Sequence, residues 1–168
     1  TVIRSKIDGG SRFSKRVRLR QHMETLEQNG GQTVILELQG SLFFGTKDQL
    51  YKALEPELRH RKYVVLDLRR VQSVDVTAVH LLSQVRDSLS ARDAYLVFSS
   101  LPQNLPNGRN IAEFFDQMEL TTTTEHVKVF AGLDDAVEWI EDQILGESQV
   151  QLADLPALEV HDLEIFKD

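Results

Sequence analysis

The chain has 168 residues, 41% of them hydrophobic, enough for one domain with its own core and too few for two full domains. It has no cysteine, which excludes a disulfide framework and a thiolate nucleophile, and its longest unbroken apolar run, Ala94 to Phe98, is far too short to cross a bilayer. The net charge of −7 is unevenly spread: residues 1–20 hold seven cations (Arg4, Lys6, Arg12, Lys15, Arg16, Arg18, Arg20) against Asp8 alone, leaving −13 on a body that should repel nucleic acid.

In chain order, Thr1 to Ile7 reads as an edge strand and Lys15 to Gln28 as a helix stopped by Asn29-Gly30-Gly31. The basic leader suits either anionic lipid headgroups or a solvated helix face. From Thr33 onward, β-rich runs alternate with helical patterns, the signature of βαβ units in a mixed, mostly parallel sheet of four to five strands with about four helices. Strands are expected at Thr33 to Leu38, running loosely to Phe44, and at Tyr63 to Leu68, Ala94 to Ser99 and Val127 to Phe130. Val64 to Leu66 and Tyr95 to Phe98 are apolar without alternation, as in central strands covered on both faces. Val34, Leu36 and Leu38 alternate with Glu37 and Gln39, which predicts one wetter face.

A first core helix should open at Thr46, with Gln49 completing a capping box and Leu50, Leu54 and Leu58 forming a stripe. A second follows Asp75 as its N-cap, with Val79, Leu82, Val85 and Leu89 facing the sheet and Arg86, Asp87 and Arg92 facing water. Ile111 to Met118 and Asp135 to Leu145 complete the set, and their aromatics Phe114, Phe115 and Trp139 belong to the core rather than to a ligand cage. After Gly146 an acidic tail retains eight large apolar residues between Val150 and Phe166, too many for a free linker.

Catalytic motifs are missing. The five histidines (His22, His60, His80, His126, His161) are scattered without metal-site spacing. No Walker-type loop, Gly-x-Gly-x-x-Gly turn or Gly-x-Ser-x-Gly elbow follows a strand. The loop Leu105 to Asn110 reads as an ordinary turn. No enzyme activity, metal or cofactor is therefore expected. Helix N-termini at Gly45-Thr46 and at Thr77 are places where an anion can be held.

The stretch Tyr63 to Leu82, YVVLDLRRVQSVDVTAVHLL, reads as buried strand, polar turn and amphipathic helix. It resembles the strand, loop and helix of STAS domains, the module shared by SulP anion transporters and anti-sigma factor antagonists. Asp67-Leu68 and Asp75-Val76-Thr77-Ala78 stand where that family has Asp-Leu and Asp-Ser-Ser/Thr-Gly. LQGSLFFGTKDQL, Leu38 to Leu50, is similar to the SulP branch in particular, and the likeness covers about residues 33 to 145. One departure matters: the serine that is phosphorylated in antagonists is replaced here by Val76. Thr77 beside it has a hydroxyl, either a phospho-acceptor or, more simply, an early-helix backbone partner.

The resemblance implies an STAS-like α/β fold divided into a basic connector with edge strand and helix (1–32), the STAS domain (33–146) and an acidic tail or linker (147–168). It further implies a non-catalytic, cytoplasmic regulatory domain of a SulP-type secondary anion transporter, with ten or more hydrophobic spans upstream of Thr1. Its partners would be the transmembrane domain of the same protein, a second copy, or a soluble regulatory protein, with the membrane surface near the basic end. Contacts would centre on Ser73, Asp75, Val76, Thr77 and His80. The segment LPALEVHDLEIFKD is similar to the lead-in of a cyclic-nucleotide-binding domain. The rivals are a free-standing anti-sigma factor antagonist switched by phosphate and a nucleotide- or anion-sensing domain.

Overall fold

The structure, a computed structural model, describes residues 1–106 and 108–153. The tail segment likened above to a domain lead-in lies outside the described residues from Asp154 onward. The elements are β1 (Ile3–Asp8), α1 (Arg20–Gln28), β2 (Thr33–Leu42), α2 (Lys47–Leu54), β3 (Tyr63–Val74), α3 (Val76–Ser90), β4 (Tyr95–Ser99), α4 (Ile111–Gln117), β5 (Val127–Phe130) and α5 (Leu133–Ala153). The five strands form one sheet in chain order, with β1 antiparallel to β2 and every other pair parallel.

Two helical layers explain the unbroken apolar runs of the central strands. Val64, Leu66 and Leu68 of β3 join Leu36 and Leu38 against Leu50, Leu54, Val79, Leu82, Val85 and Phe115 on one face. Tyr63 and Val65 turn the other way, onto Leu26 of α1 and Val137, Ile140 and Ile144 of α5. Trp139 stands edge-on to Tyr95 at 5.5 Å between centroids, and Phe115 meets Phe98 at 5.2 Å, so these aromatics are packing residues. Burial and the neighbouring Glu147 carboxylate push the Tyr63 phenol well above its usual range.

Several local expectations are corrected. α1 starts at Arg20, five residues later than its helical pattern suggests, because Ser14 to Arg18 are held along α5 by its carboxylates. β3 continues through the supposed polar turn to Val74, since Val71 and Val74 bury against the same core as Leu68. α5 runs past Gly146 to Ala153. Thr46 makes no cap bond to α2: its hydroxyl accepts the Phe43 N–H (3.1 Å) and donates to the Ser41 carbonyl (2.8 Å), while Gln49 accepts the Val2 N–H. Arg86 does not simply face water but donates to the carbonyls of Glu119 and Leu120, fastening α3 to the turn that follows α4.

Candidate functional site

The starts of α2 and α3 meet at the carboxyl end of β2 and β3, and Asp75 organises the corner. Its Oδ1 accepts the Ala78 N–H at 2.9 Å, which caps α3 as the sequence predicts. Its Oδ2 accepts the Phe44 N–H at 3.3 Å, and its own N–H donates to the Leu42 carbonyl at 2.9 Å. One carboxylate thus caps a helix and clamps the β2–α2 turn. With the Thr46 bonds, the N–H groups of Phe43 and Phe44 are both taken up within the corner.

What remains outward is apolar. Phe44 is 67% exposed and Val76 48%, with Phe43 and Tyr51 also exposed. The Lys47 ammonium lies 4.9 Å from the Phe44 ring centroid. A Cβ on Gly45 would come within 2.7 Å of the Phe43 ring, so glycine lets that ring fold back over the turn. Beside the patch, Lys47, Asp48, Tyr51, Thr77, His80 and Gln84 line an open cleft of about 270 Å³. The structure therefore brings Gly45, Thr46, Asp75, Val76, Thr77 and His80 to one surface, with half-buried Ser73 at the adjoining end of β3, in register with Ser41. Sequence reasoning used Phe43 and Phe44 only as a motif and missed Tyr51. The signal available was a pair of aromatics directly before a glycine, at the end of a strand already supplied with core residues.

A second polar array lies at the opposite end of the sheet. The His126 ring bridges Ser90 Oγ (3.2 Å from Nδ1) and Asp93 Oδ1 (2.7 Å from Nε2), and Thr124 Oγ1 also approaches Nδ1. The His126 contact, followed by Lys62, holds the Asp93 carboxyl below its usual value. The order Ser–His–Asp imitates a nucleophilic triad, but such a carboxylate must be buried to orient its imidazole in a dry site, and Asp93 is exposed. The array ties the α3–β4 turn to the lead-in of β5. Among the described residues, no group of three or more His, Cys, Asp or Glu is placed to hold a metal ion.

A mixed sheet between two helical layers, with an Asp-capped helix start presenting an apolar corner, defines a small α/β domain. The STAS domain family model matches residues 23–136, and the chain belongs to that family. Among curated proteins it is 31% identical over 160 residues to Glutaminase 1 of Bradyrhizobium diazoefficiens, spanning 90% of this chain and 25% of that one. It is 27% identical over 139 residues to the vacuolar basic amino acid transporter VSB1 of Saccharomyces cerevisiae, spanning 75% of this chain and 13% of that one. The chain thus spans a quarter or less of these relatives. The sulfate transporter family protein from Wolinella succinogenes shares its fold (TM-score 0.53, 24% identity, 67% of this chain and 86% of that one). So does an anti-sigma factor antagonist from Thermotoga maritima (TM-score 0.55, 18% identity, 65% and 87%).

Proposed function

We propose that this chain is a non-catalytic regulatory and interaction module of a SulP-type secondary anion transporter, working at the cytoplasmic face of the membrane. The observation that carries the reading is the apolar corner of Phe43, Phe44, Tyr51 and Val76: the Phe43 and Phe44 N–H groups are bonded within the corner, so its exposed rings are free to be covered by a partner. The likeness to a yeast transporter supports a transporter host, and the small share of each relative that is matched supports a module within a longer chain. On this reading the regulatory unit centres on residues 33–146, the 1–32 connector is packed into it through β1 and α1, and the chain beyond α5 leads onward. The partner is the host's transmembrane part, a second copy, or a soluble regulator. Val76 at the position of the antagonists' phosphorylated serine disfavours the phosphate-switched antagonist, and Thr77 is the one remaining hydroxyl there that a kinase can address.

The test is uptake by the full-length host carrying Phe44→Ser and Val76→Asp, both on exposed positions. The expected result is a several-fold change in anion uptake at unchanged protein level. Uptake equal to wild type would end the proposal. The 31% identity to Glutaminase 1 favours one second reading, the same module attached to a glutamine-hydrolysing enzyme. A host without hydrophobic spans that releases ammonia from glutamine would establish it in place of the first.

A further inference from the structure

We infer that a cleft at the carboxyl end of the sheet, lined by Arg12, Arg69 and Arg70, binds a tetrahedral oxydianion of the phosphate type. A β-bulge in β3 builds it. Glu37 pairs with Asp67 and Gln39 with Arg70, so two steps along β2 match three along β3. Leu68 and Val71 both bury in the core, and the extra residue sends Arg69 and Arg70 out together, where strict alternation would have turned one of them inward. Both reach the same cleft of about 440 Å³, which Arg12 enters from the segment before α1.

The polar groups of this cleft are unequally partnered. Of its carboxylates, Glu37 is paired with Arg4 at 3.0 Å, Asp67 accepts the Ser99 hydroxyl at 2.8 Å, and Asp134 accepts the Lys15 N–H at 3.1 Å. The guanidinium groups of Arg12, Arg69 and Arg70 have no hydrogen-bond or ion-pair partner among the described residues, and the Arg12 Nε is buried without one. Ser100, on the wall, holds a left-handed φ of 57°, and the cleft lies beyond the ends of parallel strands, where open α/β sheets bind ligands. Three forks arriving from two separate segments suit a ligand with at least three acceptor oxygens, which a phosphate group offers and a planar carboxylate does not. This site is distinct from the helix starts at Gly45-Thr46 and Thr77 and does not depend on the transporter reading.

The test is calorimetric titration of the full 168-residue chain with inorganic phosphate and with sulfate, in chloride buffer of matched ionic strength. Sedimentation with phosphatidylcholine vesicles, with and without phosphatidic acid, runs in parallel. One phosphate per chain is expected, with affinity falling about tenfold in Arg69→Gln and again in Arg70→Gln, while Arg59→Gln, an equal loss of charge elsewhere, has no effect. Arg69 and Arg70 are exposed, so these variants should fold, which an unchanged melting temperature in chloride will confirm. Binding to phosphatidic acid vesicles alone, lost in the same variants, would support the site and assign its phosphate to a lipid headgroup. No saturable binding in either arm, or equal weakening by Arg59→Gln, would overturn the inference.

Discussion

Glu141 should be among the residues whose loss costs this fold most, because it holds the segment before α1 onto α5 through a nearly dry set of bonds. Its carboxylate accepts the Ser14 N–H at 2.8 Å, the Ser14 hydroxyl, and Arg18 Nε at 3.1 Å, with the Arg18 and Glu141 side chains only 5% and 6% exposed. Glu141→Ala leaves Arg18 with Asp142 alone, 3.0 Å from Nη2, and strands the Ser14 amide. One lost charge-assisted bond, at ~1.5–3 kcal/mol, and one unsatisfied amide, at ~1–3 kcal/mol, give about 3 kcal/mol after some relaxation. Glu138→Ala breaks only the solvent-screened contact with Arg16, at 3.5 Å, and should cost ~0–1 kcal/mol. Urea unfolding followed by circular dichroism, with the slope unchanged, measures both. The paired variant Arg18→Met with Glu141→Leu should recover much of the loss, since apolar replacement removes the desolvation cost along with the pair. A Glu141→Ala loss under about 1 kcal/mol, or one equal to that of Glu138→Ala, would show that this segment is not anchored here.

Gly30→Ala places a Cβ 2.4 Å from the Gly10 backbone and should destabilise by ~1–3 kcal/mol, whereas Gly31→Ala, with nothing within 4 Å, should not; chemical denaturation of the two separates them. Asp75→Ala removes the α3 cap and the Phe44 clamp, for a loss of ~1–2 kcal/mol in the same assay, and Asp75→Asn should retain most of the stability. Burial raises the Glu57 carboxyl, but hydrogen bonds from Lys6 and Arg61 outweigh it and hold the group below its usual 4.5. A depressed folded value means this stabilisation is present above about pH 4.5 and is lost as the pH falls through the folded value, so Glu57→Gln should flatten the acid side of the stability curve. Urea midpoints across pH 3 to 6 read this out, and an unchanged slope would contradict it.

The sequence announced the parallel strands and α3 because their signals are local: unbroken apolar runs, and an aspartate just before a helical stripe. β5 was read to the residue and β4 to within one. The start of α1 was misread because Lys15 to Arg18 are acceptable helix formers, and only the distant carboxylates of α5 hold them elsewhere. The far half of β3 looked like a turn because its bulge breaks the alternation that marks a strand. The candidate surface was half legible. Asp75 and its neighbours follow from capping, whereas the exposure of Phe44 and the shared direction of Arg69 and Arg70 depend on how β2 and β3 end, which no local pattern records.

The charge asymmetry has the same non-local explanation. Arg4, Lys6, Arg16 and Arg18 of the leader are paired with Glu37, Glu57, Glu138, Glu141 and Asp142 of the body, so much of the separation between a +6 leader and a −13 body is neutralised within the fold. Attraction to an anionic surface then cannot draw on all seven cations, and what the leader still offers is concentrated at fewer positions, Arg12 among them. The antiparallel pairing of β1 sets where those positions lie. The Gln39 N–H donates to the Val2 carbonyl at 2.9 Å, so the first residues end beside the strand termini that carry Phe44, Val76 and the arginine cleft. A segment joined upstream of Thr1 would be held close to both surfaces at high effective concentration, so even a weak contact with either would be occupied. Inserting a long flexible spacer before Thr1 in the host should therefore loosen that contact while leaving the fold and its phosphate affinity unchanged, and a spacer without effect on the contact would break the link between topology and docking.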